Sequence, residues 1–104
     1  MTVPKTPYTV SWVEDEFGTN PVDDNLDVAV EFATGERYVA TMFTVANLQS
    51  LLLRYRESGE CASGLYVWAS HMIVVRTLGR DHIEMVVADL IASGEFSSAF
   101  AGPY

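Results

Sequence analysis

The chain has 104 residues, 49% of them hydrophobic and 19% charged, and its 14 acidic against 6 basic side chains give a formal charge of -8. This describes a single folded domain, residues 1–104, long enough for one core and too apolar to be disordered. It excludes a nucleic-acid binder, whose basic surface must neutralise phosphates, and a binder of anionic membranes; no apolar run approaches the about 20 residues that cross a bilayer. The single cysteine forms no internal disulfide, and "MTVPKTPYTV" lacks the basic start and apolar block of a secretion signal. The expected setting is therefore cytoplasmic and bacterial.

"YTVSWV" (Tyr8 to Val13) alternates and is rich in β-branched and aromatic residues, which predicts a first strand. "EDEFGTNPVDDN" is polar, carries Gly18 and Asn20-Pro21, and reads as a loop. "LDVAVEF" alternates cleanly: Leu26, Val28, Val30 and Phe32 share one face, and Asp27, Ala29 and Glu31 the other, as in a strand with one wet face. "ATGE" supplies a tight turn through Gly35, and "RYVATMF" returns as the hairpin partner.

Thr44 is placed to cap a helix whose apolar residues Val45, Leu48, Leu51, Leu52 and Tyr55 recur at helical spacing. Arg54 and Arg56 suit its last turn and Gly59 its end. "LYVWAS" and "HMIVVRTL" read as two further strands joined near Ser70-His71. Asp81 and Glu84 form a D-x-x-E capping pattern ahead of the stripe Ile83, Val86, Val87, Leu90 and Ile91. Gly94 stops this helix, with Phe96 folding back over its end, and "SSAFAGPY" is a tail packed through Phe100. The expected order β-β-β-α-β-β-α makes an α+β domain: an antiparallel sheet of about five strands with both helices on one face.

The residues that could carry chemistry are few. Cys61 and His71 are the candidate nucleophile and base, yet Cys61 follows a helix C-terminus, whose partial negative charge disfavours a thiolate, and His71 lies a whole predicted strand away. Structural roles are favoured for both. His71 and His82 match no metal-binding spacing. Asp23-x-Asn25-x-Asp27 begins like a calcium loop, but Val28 stands where glycine is needed and Thr34 where the last glutamate belongs. Ser70 beside His71 has no nucleophile elbow, the glycines are scattered singly, and the pair Asp15 and Glu16 sits in a solvated loop. No metal and no cofactor is expected.

What remains is charge and aromatic surface. Glu14, Asp15, Glu16, Asp23, Asp24, Asp27 and Glu31 fall in one stretch without a basic residue. They read either as a solubilising surface or as a docking face for a basic protein. Trp12, Tyr38 and the pair Tyr66 and Trp68 lie on three predicted strands; Trp68, inside the most apolar part of the chain, is read as core.

The blocks "FTVANLQSLL", "GECASGLYVWASHMIVV" and "DLIASGEF" resemble F-T-x-x-N-[IL]-x-x-L, G-E-C-x-x-G-x-Y-x-W-A-S-x-M-I-[IV]-V and D-L-I-x-x-G-E-F of a group of small uncharacterised bacterial proteins, over Leu26 to Phe96. The resemblance implies a shared fold and carries no activity. In size and charge alone the chain is also similar to toxin-neutralising immunity proteins. Together these features point to a non-catalytic, acidic protein-binding module, immunity-type or accessory, for a basic partner. The Glu14–Glu31 acids would steer it, and Trp12 and Tyr38 would anchor it. Two alternatives stay open: a small enzyme or ligand binder using Cys61 and His71, and a homodimer pairing edge strands or aromatic faces.

Overall fold

The computed structural model describes residues 7–14 and 18–104. Four strands form one sheet in the order β1 (Tyr8–Trp12), β2 (Asn25–Phe32), β3 (Arg37–Thr44) and β4 (Met72–Val75). The first three are an antiparallel meander, with Val10 opposite Val30 and Val28 opposite Ala40. The tight turn at Gly35, which takes φ 94°, joins β2 to β3.

The fourth strand departs from the expected arrangement. β4 runs parallel to β3, with Thr41 beside Met72 and Thr44 beside Val75. A parallel neighbour needs a crossover, and it is supplied by α1 (Val45–Ser58) and the left-handed turn α2 (Glu60–Gly64). The sheet is therefore mixed and four-stranded, rather than antiparallel with five strands. The missing strand is "LYVWAS": Leu65 to Ala69 has no strand pairing, and Leu65, Tyr66 and Trp68 are exposed, Trp68 by 69%. Its β-rich composition gains no place beside β3, because β4 itself occupies that edge. Trp68 is thus a surface residue and not part of the core.

The core lies on one face of the sheet. Leu26, Val28 and Val30 of β2, Ala40 and Met42 of β3, and Val10 and Val75 pack with Ile83 and Val87 of α3 (Arg80–Ser93) and with Phe96 of α4 (Phe96–Ala99) and Phe100. The tail packs as expected, Phe100 being 1% exposed and stacked on Phe96 at 4.5 Å. Beyond it, Ala101 exchanges two backbone hydrogen bonds with Val39, and Tyr104 N–H donates to the Arg37 carbonyl. The tail thereby covers the part of the β3 edge that β4 leaves open. Helix α1 adds no residue to this core cluster and packs mainly on α2 and the end of β3.

The helix ends follow from their capping residues. Thr44 Oγ1 accepts from Asn47 N–H at 3.1 Å, and Gly59 closes α1 in the left-handed region at φ 86°. Gly94 closes α3 the same way, with Glu95 N–H donating to the Leu90 carbonyl. The start of α3 differs from expectation. Gly79 is the N-cap, no side chain caps the helix, and Glu84 approaches Arg80 at 3.7 Å instead of forming a capping box with Asp81.

Candidate protein-binding face

Strand alternation that buries Val28 and Val30 turns Asp27, Ala29 and Glu31 to the other side of the sheet. The registers bring Thr9 beside Glu31 and Ser11 beside Ala29 from β1. They bring Thr41 beside Asp27, Val39 beside Ala29 and Arg37 beside Glu31 from β3. Ser11, Asp27, Glu31 and Arg37 are exposed there, and a shallow groove of about 470 Å³ runs between Ser11, Asp27, Ala29, Arg37 and Val39. Trp12 and Val13 border this groove. Ala29 makes a low floor because its side chain is a single methyl. Thr41 Oγ1 donates to Asp27 Oδ1 at 2.7 Å and fixes that carboxylate against the sheet. Arg37 is the one cation on these strands.

The other acids of the N-terminal stretch have different surroundings. Asp23 accepts from Asn47 Nδ2 at 3.3 Å and from Ser50 Oγ at 3.0 Å, so both its oxygens dock the loop onto α1. Asp24 accepts from the backbone N–H groups of Asn20 and Asn25, and its own N–H and C=O are engaged by Thr44. Asn25 Nδ2 donates to Asn47 Oδ1, completing the junction. Glu14 accepts from Trp12 Nε1 at 3.1 Å. Asp15 and Glu16 lie outside the described residues.

The aromatic residues expected to anchor a partner sit mainly on the core side of the sheet, although Trp12 also reaches Glu14. Trp12 pairs with Val28 and packs beside the core, where the Arg80 guanidinium sits 4.2 Å from its ring centroid. Tyr38 is half-buried in an edge-to-face cluster with Phe32 at 5.7 Å and Phe96 at 5.1 Å. Trp12 touches the groove only at its end, and Tyr38 lies on the helix-covered side.

Cys61 and His71 sit in unusual backbone. Cys61, Ala62 and Ser63 all take left-handed conformations, with φ of 49°, 52° and 58°, between Gly59 and Gly64. Leu65 N–H donates to the Cys61 carbonyl at 3.1 Å across this turn. Such residues cost roughly 1–2 kcal/mol each relative to the right-handed region. The turn packs closely on α1, since a Cβ on Gly64 would meet the Leu52 carbonyl oxygen and lie 2.9 Å from Arg56 Cγ. His71 has φ 52° in the turn before β4, and its Nδ1 is 2.8 Å from Ser70 Oγ. Among the described residues no hydrogen bond joins Cys61 to His71, and no three His, Cys, Asp or Glu side chains converge as a metal site. No described helix is long and apolar enough to cross a membrane.

Sequence reasoning missed the exposure of Leu65, Tyr66 and Trp68, and the edge of β4 that no described strand pairs. The signal was present in the first case: Gly59 and Gly64 bracket a turn that redirects the chain before any sheet partner is available. Comparison with protein-family models, with curated proteins and with solved structures finds no match.

Proposed function

We propose that the protein is a non-catalytic binding module that recognises a basic protein partner through the open face of its sheet, in an immunity-type or accessory role in the cytoplasm. The observation that carries this reading is the exposed pair Asp27 and Glu31 on a sheet face that no core helix covers, with Glu14 nearby on the chain leaving β1. Asp27, held by Thr41, and the exposed Glu31 favour lysine- and arginine-rich surfaces, and the formal charge of -8 steers such partners from a distance.

The test is the double reversal Asp27→Lys/Glu31→Lys against the neutral Asp27→Asn/Glu31→Gln, read as association rate with the captured partner over a range of salt. The reversal should slow association strongly and flatten its salt dependence, and the neutral pair should fall between it and the wild type. Equal rates for all three proteins would refute the electrostatic reading.

A further inference from the structure

We infer that a second copy of this chain docks on the β4 edge, pairing β4 with β4 and α3 with α3 about a two-fold axis through Val74. The inference is independent of the acidic face, which lies on β2 and β3.

The backbone sets the register. Thr41 N–H donates to the His71 carbonyl at 3.1 Å. In a parallel ladder alternate residues bond inward, so His71, Ile73 and Val75 face β3, and Met72 and Val74 turn their N–H and C=O groups outward. No turn, loop or side-chain hydrogen bond among the described residues engages those groups. The edge carries none of the usual protections against strand addition: "MIVV" has no lysine, proline or bulge. Antiparallel pairing centred on Val74 sets Val74 opposite Val74, so that its outward N–H and C=O groups pair with those of the second copy, and brings Met72 beside the bend at Arg76.

The helix beside this edge supports the same axis. His82, Met85, Val86 and Asp89 recur at helical spacing as a second stripe, next to the buried Ile83 and Val87, and with Ile73 they line an apolar groove of about 380 Å³. Met85 is 69% exposed and Val74 51%. The stripe is self-complementary in reverse: when two α3 helices cross antiparallel between Met85 and Val86, each His82 meets the other copy's Asp89. Ile73 lines this groove and adjoins Val74, so the strand edge and the α3 stripe are neighbours on the surface. Charge also identifies the occupant. Between Glu60 and Arg76 the chain holds no Asp, Glu, Lys or Arg. On a chain of charge -8, this neutral edge is where an identical acidic molecule approaches without repulsion.

The test is sedimentation velocity of the full chain from micromolar to millimolar concentration, with Val74→Pro, Met85→Glu, His82→Asp and His82→Asp/Asp89→Lys. The wild type should sediment at twice the chain mass of 11.5 kDa. Val74→Pro removes an outward donor and spares the β3 ladder, and Met85→Glu places a carboxylate at the centre of the interface. Each should weaken the dimer by more than about tenfold, as expected at an interface centre. His82→Asp should weaken it, and the added Asp89→Lys should restore it. Circular dichroism of Met85→Glu, whose side chain is outside the core, checks that the fold persists. A wild-type protein that stays monomeric throughout, or a dimer untouched by both Val74→Pro and Met85→Glu, overturns the inference.

Discussion

Asp23 and Asn47 are joined across 24 residues of sequence: Asn47 Nδ2 donates to Asp23 Oδ1 at 3.3 Å, and Asn47 is itself 7% exposed. The acidic loop is thus tied to α1. Asp23 has a structural use before any partner arrives, whereas Asp27 and Glu31 lie exposed on the sheet.

Breaking that junction should be costly. Asn47→Ala removes the partner of Asp23 and of the Asn25 amide together, leaving two half-buried polar groups short of a hydrogen bond. A loss of about 1–3 kcal/mol is expected, read as a lower urea midpoint at unchanged slope. Asp23→Lys should destabilise through the same contacts, so it is a poor probe of docking.

The left-handed turn gives two substitutions of opposite sign. Ala62→Gly relieves a left-handed conformation at an exposed position and should raise stability by roughly 1 kcal/mol. Gly64→Ala forces a Cβ against the Leu52 carbonyl at φ 85°, and should lower it by more than about 1 kcal/mol. Thermal unfolding of the two variants should bracket the wild type.

Phe100 anchors the tail that seals β3. Phe100→Ala should cost about 3–5 kcal/mol, the range for an emptied aromatic core site. Hydrogen exchange at the Val39 and Ala101 amides, which bond each other's carbonyls, should accelerate with it.

Much of this fold was legible in the chain. Thr44 and Gly59 bound α1, Gly94 ends α3, and the alternation of Leu26, Val28, Val30 with Asp27, Ala29, Glu31 fixes both faces of β2. Two features were not. Three consecutive non-glycine residues in the left-handed region leave no compositional trace, because nothing in Cys61, Ala62 or Ser63 favours it. The parallel placement of β4 was hidden by "LYVWAS", whose strand-like residues read as a fifth strand joined to β4 in an antiparallel sheet. Strand propensity says how a segment fits a sheet and not whether a partner edge is free. For the site, Asp27 and Glu31 could be placed on a wet face from alternation alone. That Asp23 and Asp24 are held by α1 and its cap depends on contacts 20 or more positions away.

Trp68 reports the surface origin of the 65–69 segment. Its indole should be quenched by iodide or acrylamide more readily than that of Trp12, which is half-buried against Arg80. Trp12→Phe and Trp68→Phe variants separate the two signals, and a shielded Trp68 in the isolated protein would place that segment elsewhere.

The binding reading meets its most direct test in affinity capture of the tagged protein from its source cells, compared with Asp27→Lys/Glu31→Lys and read by mass spectrometry. The proposal predicts one dominant basic protein on the wild type, released by salt and absent from the reversed variant, whose folding is verified by circular dichroism. No captured protein, or one held equally by the wild type and the reversed variant, would contradict it.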